Sequence, residues 1–167
     1  MYKLSKRSKD NRDECTHPLR LIIDEAIKYF DFLVYEGHRS LEDQMKYFKA
    51  GKSKIDGVRR KGKHNFKPSK AFNCVPAEVF WSSRKKFLQM AIAMFKATNK
   101  LIAEGKIDKG LRWGGDFYGD GDKRFTRYIK KQLFLIKGMY KDGWDMPHFE
   151  EVPLKWYKKT VWYKLGY

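Results

Sequence analysis

Apolar side chains recur every three or four positions in LRLIIDEAIKYF, where Leu19, Ile22, Ile23, Ala26, Ile27 and Phe30 would share one face. That period predicts a helix, and Pro18 suits its first turn, where a backbone donor is not needed. FLVYE (32–36) is short and apolar and ends at Gly37, which predicts a strand. Ser40 then opens SLEDQMKYFKAG as an N-cap, with Asp43 three residues on, and Gly51 closes that helix. The pattern lapses over 51–70, GKSKIDGVRRKGKHNFKPSK, which reads as a long loop of the kind that often carries function. AFNCV (71–75) predicts a buried strand stopped by Pro76. From Ser82 to about Glu104 a helical stripe runs through Phe87, Leu88, Ala91, Ile92, Phe95 and Leu101, and Gly105 ends it. LRW (111–113) and PHFEEV (147–152) read as further strands. Between them, DFYGDGDKRF is loop-like and TRYIKKQLFLIKGMYK has helical spacing.

Strands separated by single helices and loops predict an α+β fold, a small domain whose mainly antiparallel sheet is packed by helices. The expected organisation is one domain over 1–167, with an insertion at about 117–143 and a basic aromatic tail at about 153–167. No internal repeat or linker is visible. With 42% hydrophobic and 16% aromatic residues the chain can bury a core without staples. Disorder is expected only in the first dozen residues, MYKLSKRSKDNR, which offer little to bury.

Charge narrows the partners. The net +17 implies an anionic surface or polymer: nucleic acid, lipid or cell-envelope polymers. The basic residues are spread along the chain, so a basic domain surface is expected rather than a basic arm. No helix-turn-helix, zinc-finger or RNP-like pattern supports a specific nucleic-acid binder. Two cysteines, Cys15 and Cys74, make no disulfide framework. The start lacks an apolar segment, so no secretory signal is expected, and no apolar run approaches the ~18 residues of a membrane span. The tail, PLKWYKKTVWYKLGY, could meet an anionic membrane, but packing of Trp156, Tyr157 and Trp162 over the sheet is the plainer reading. Asp116, Asp120 and Asp122 hint at calcium but lack the terminal glutamate of a full loop, so a solvated acidic loop is expected.

Only four histidines can carry imidazole chemistry: His17, His38, His64 and His148. His17 and His38 sit at helix and turn boundaries, where structural roles suffice. His64 ends the long loop. His148 follows Asp145 by three residues, with Pro147 between, which stiffens the separation of carboxylate and imidazole. A zinc hydrolase needs such parts: imidazole ligands, an open position for water and a carboxylate to take its proton.

Four segments in one order are more specific than any pair: EGHRSLEDQ (36–44), KHNFKPSKAFN (63–73), WGGD (113–116) and DMPHFE (145–150). Together they resemble the M15 family of zinc peptidases, most closely the phage endolysins that cleave the L-alanyl-D-glutamate bond of peptidoglycan. The resemblance covers roughly 1–155. It implies zinc held by His64, by the residue at 73 and by His148, with Asp145 as general base. It also implies that Arg39 faces the substrate carbonyl, that Gln44 is a polar partner from the same motif and that Trp113 borders the cleft beside the substrate. A monomer waiting in the host cytoplasm until the membrane is breached is implied as well. The departure is at 73, where the family has Asp and this chain has Asn73. The amide keeps an oxygen but loses the charge. Cys74 is adjacent, but on a strand it would face the other way. Asn73 is thus consistent with a weakened metal site, with a wall-binding or virion protein on the same scaffold, or with a deliberate replacement. A D,D-carboxypeptidase is the enzymatic alternative, because the motifs specify the chemistry better than the bond.

Overall fold

In the computed structural model, residues 1–78, 83–116 and 145–166 are described. Four strands form one sheet: β1 (Phe32–Glu36), β2 (Ala71–Pro76), β3 (Lys109–Trp113) and β4 (His148–Pro153). Their order is β1-β2-β4-β3, and every neighbouring pair is antiparallel. The expected α+β architecture is therefore the observed one. β2 is central and all six of its residues are buried.

The helices are α1 (Lys6–Asp13), α2 (His17–Ala26), α3 (Leu41–Lys49), α4 (Arg84–Ala103), α5 (Leu154–Tyr157) and α6 (Val161–Lys164), with a 3-10 turn at Lys63–Asn65. α2 and α4 pack together and against one face of the sheet. Leu19, Ile22, Ile23, Met94 and Phe95 meet Phe72, Cys74 and Phe149 there, all fully or almost fully buried. The alternation along β2 and β4 produces this face: Phe72 and Phe149 are cross-strand partners with stacked rings 5.3 Å apart. Ser40 caps α3 by accepting from the Asp43 amide, as expected. Ser83 caps α4, one residue later than its predicted start.

The first dozen residues contradict the expectation of disorder. α1 packs along β1, the edge strand, and its polar side chains do the work. The Val34 amide donates to Ser8 Oγ at 3.1 Å, and Asn11 Nδ2 donates to the Val34 carbonyl at 2.9 Å. A hydrophobic-pattern reading misses such a helix, because its anchorage is hydrogen bonding to an open strand edge.

The tail packs, as the plainer reading has it. Trp162 stacks on Phe95 at 4.2 Å and is buried, and Tyr157 OH donates to Asn99 Oδ1 at 2.8 Å. Trp162 Nε1 donates to Asp116 Oδ2 at 3.0 Å, which gives that carboxylate a structural partner. Asp120, Asp122 and the insertion at 117–143 lie outside the described residues. No helix among the described residues is long and apolar enough to cross a membrane.

Candidate functional site

The sheet face opposite α2 and α4 carries polar side chains at the same strands' alternate positions. Across three strands the register aligns Glu36, Asn73 and His148 as consecutive partners. A β-bulge makes the first match. The pairs Phe32–Pro76, Leu33–Val75 and Val34–Cys74 run in strict step, and the next in sequence would be Tyr35 opposite Asn73. The register instead shifts by one, so Glu36 opposes Asn73. Two residues along β4 from His148, Glu150 is the partner of Arg112 on β3. Cys74 faces the core with its sulfur 3.6 Å from Met90 Sδ, away from this row.

His64 reaches the row from the 3-10 turn. Its Nδ1 lies 2.7 Å from the Gly37 carbonyl, so Nδ1 carries the proton and Nε2 presents a lone pair. His148 Nε2 lies 3.1 Å from Glu150 Oε2, so Nε2 donates there, and the neutral ring presents Nδ1 as its lone-pair atom. Asn73 is oriented by Glu36: a carboxylate only accepts, so the amide nitrogen faces it at 2.6 Å and Oδ1 turns inward. His148 Nδ1 is then 3.2 Å from His64 Nε2 and 3.2 Å from Asn73 Oδ1. With His148 Nδ1 unprotonated, three electron-pair donors converge. Two tetrahedral ligands at zinc bond lengths stand roughly 3.3 Å apart, so the spacing suits a small cation. The imidazoles do receive second contacts of the kind that orient metal-bound histidines, a carbonyl for one and a carboxylate for the other. Among the described residues no three His, Cys, Asp or Glu side chains form a metal-binding group, because the third position is the amide of Asn73.

Electrostatics keep the parts in useful states. Burial, then the neighbouring His148, lowers the His64 imidazole to about 4, so it is neutral at pH 7. Burial raises the Asp145 carboxyl above its ordinary value, against the pull of His148 and Arg39. Glu36 and Glu150 go the other way. Burial opposes their charge, but hydrogen bonds from Arg39 to Glu36, and from His148 and Arg112 to Glu150, hold both below the usual range.

The remaining expected residues occupy distinct places. Arg39 grips Glu36 with two bonds, Nε to Oε1 at 2.7 Å and Nη2 to Oε2 at 2.5 Å, and stacks over Tyr47. Gln44 is buried. It accepts from Arg39 Nη1 at 3.2 Å and donates to Ser53 Oγ and the Ile55 carbonyl at 2.9 and 2.6 Å. It therefore ties Arg39 to the basic loop. Trp113 is not on the cleft wall, contrary to the expectation of substrate contact. It is 1% exposed, its Nε1 donates to the Met146 carbonyl at 2.6 Å, and its ring packs against Phe149 and Trp162. The glycines after it permit close approach: a Cβ on Gly114 would stand 2.1 Å from the Asp145 carbonyl oxygen. The Gly114 amide donates to the His148 carbonyl at 2.7 Å, which locks the WGGD turn onto the Asp145–His148 turn.

Arg39, Gln44 and the polar row line one open cleft of about 810 Å³. Glu36, Asp145, Glu150 and the imidazoles lie along it, and Lys52, Lys54, Arg60, Lys61 and Lys63 from the 51–70 loop also border it. Glu36 and Glu150 stand inside the sequence motifs, where neither has an assigned role. Glu150 was within reach of inspection, since two residues after His148 on a strand share its face. Glu36 was not, because its contact depends on the bulge.

α2 and α4 cover one face of the antiparallel sheet, and paired imidazoles and carboxylates stand in a cleft on the other, an arrangement that suits hydrolysis. The L-Ala D-Glu endopeptidase ChiX of Serratia marcescens has a similar fold, at 24% identity over 90% of each chain with a TM-score of 0.60. A family model described as phage L-alanyl-D-glutamate peptidase matches residues 1–136, and the chain belongs to that family of peptidoglycan endopeptidases. The matched span ends before Asp145 and His148, so their place in the cleft rests on geometry. No curated protein matches the chain.

Proposed function

We propose that this chain hydrolyses the L-Ala-D-Glu bond of peptidoglycan stem peptides, as a single-domain, monomeric endolysin-like peptidase that uses zinc. The observation that carries the reading is the convergence of His64 Nε2, His148 Nδ1 and Asn73 Oδ1 in the cleft that also holds Asp145 and Arg39. Those three atoms would hold the metal. When bound, zinc supplies Lewis acidity and makes a water acidic enough to attack at neutral pH.

The chain's own groups do the rest. Asp145, its carboxylate made more basic by burial, takes the proton of the attacking water and returns it to the leaving amine. Arg39 is held by Glu36 and Gln44 in the cleft and directs its remaining N–H groups at the developing oxyanion. Gln44 acts on substrate through Arg39. The basic loop and the net +17 concentrate the protein on anionic envelope polymers. Access to the wall would follow breach of the host membrane.

Purified peptidoglycan digested by the chain, read by mass spectrometry, tests this. Fragments ending in L-Ala, with new amino-terminal D-Glu, are expected. Loss of terminal D-Ala alone would favour the D,D-carboxypeptidase reading. Sedimentation with murein without any cleavage, in the presence of added zinc, would favour a wall-binding protein.

A further inference from the structure

The Asn73 amide would be a poor metal donor if it were free to turn over. Rotated by half a turn about its last bond, it would place its NH2 against His148 Nδ1, and the site would satisfy itself without a cation. Glu36 opposes that rotation. Its Oε2 accepts from Asn73 Nδ2 at 2.6 Å, a charge-assisted bond that also draws electron density toward Oδ1. Arg39 fixes Glu36 in turn with two bonds at 2.7 and 2.5 Å. The bulge in β1 is what brings Glu36, rather than Tyr35, opposite Asn73. Bulges beside active sites commonly re-aim one side chain in this way.

We propose that Glu36 is a positioning residue matched to Asn73: it holds and polarises the amide so that the uncharged Oδ1 serves as a metal donor. This rests on the metal-site reading above. The match is specific to an amide. With Asp at 73, the same geometry would set two carboxylates at hydrogen-bond distance with no proton between them, which raises the free energy of the metal-free state. With Asp at 73 and Gln at 36, donor and acceptor simply exchange sides.

The test is a cycle of four proteins: the native chain, Glu36→Gln, Asn73→Asp and the double variant. Each is titrated with cobalt(II), followed by visible absorption and calorimetry, and its metal-free melting temperature is recorded. In the native background, Glu36→Gln is expected to weaken cobalt binding by about 10–100-fold, because Gln can donate to Oδ1 and turn the amide over. In the Asn73→Asp background the same change is expected to cost no affinity and to raise the metal-free melting temperature. A purely structural role for Glu36 would cost affinity and stability in both backgrounds, and that result would overturn the proposal. So would unchanged binding by Glu36→Gln. If Asn73→Asp binds one cobalt and the native chain binds none, the matched pair is refuted while the metal cleft stands. If neither binds, the metal reading itself fails. Should Glu36→Gln not fold, nitrogen-15 spectra of the native chain still decide. A downfield, exchange-protected Asn73 side-chain N–H, absent from Asn73→Asp, is expected, and a rapidly exchanging, unshifted pair would refute the bond to Glu36.

Discussion

Buried carboxylates occur in two settings in this protein, and they are used differently. Glu25, in the helical layer, accepts from Lys28 at 2.6 Å, Tyr29 at 2.6 Å and Lys100 at 2.7 Å, so both its oxygens are taken up by groups just past the end of α2 and on α4. Its charge is consumed in holding two helices together. Glu36 and Glu150, on the cleft face, each meet one arginine and also a side chain of the site, Asn73 for the first and His148 for the second. Their charge is passed to the chemistry. The difference teaches that a buried ion pair marks function here only when one carboxylate oxygen is directed at a side chain that lines the cleft.

The sharpest break of that comparison is Asp145→Asn. Removing the proposed general base should lower peptidoglycan hydrolysis by about 10²–10⁴-fold while leaving bound metal unchanged, as read by turbidity and metal analysis. Glu25→Gln should do the reverse. It removes the carboxylate that Lys28 and Lys100 share and should cost about 1–3 kcal/mol in chemical denaturation, with hydrolysis unaltered. Equal loss of activity in both variants would erase the distinction between the two settings.

Acid sharpens it further. Hydrogen bonds from Lys100, Lys28 and Tyr29 outweigh burial and hold the Glu25 carboxyl at about 2, against 4.5 for the ordinary group. A depressed carboxylate stabilises the fold fully above its unfolded value, and that stabilisation is lost as pH falls through the folded one. The chain should therefore lose about 1–2 kcal/mol from this group between pH 4.5 and 2, after allowing for the half-exposed lysines. Glu25→Gln should flatten that part of the stability curve. The smallest effect is expected at Ser8→Ala, which leaves the Val34 amide unpartnered and should cost about 1 kcal/mol.

Much of this architecture is legible in the sequence. α2 and α4 are legible because their apolar stripes face a common core, and α3 because Ser40 caps it. His64 and His148 were legible through ordered motifs, and Cys74 could be set aside by strand parity alone. Three things were hidden, each for a physical reason. α1 is polar because it seals hydrogen bonds rather than burying methyl groups. Trp113 belongs to a cleft motif, yet its ring serves the core behind it. Glu36 sits beside Asn73 through a one-residue slip in pairing, and no period in the sequence reports such a slip.

The seal that α1 lays over β1 has a further consequence. A second copy of the chain meets Ser8 and Asn11 where it would otherwise find vacant main-chain groups to zip onto. Crowded solutions of this protein should accordingly resist ribbon-like stacking from that side. Trimming the first eleven residues should convert a well-behaved molecule into one that polymerises through its flank.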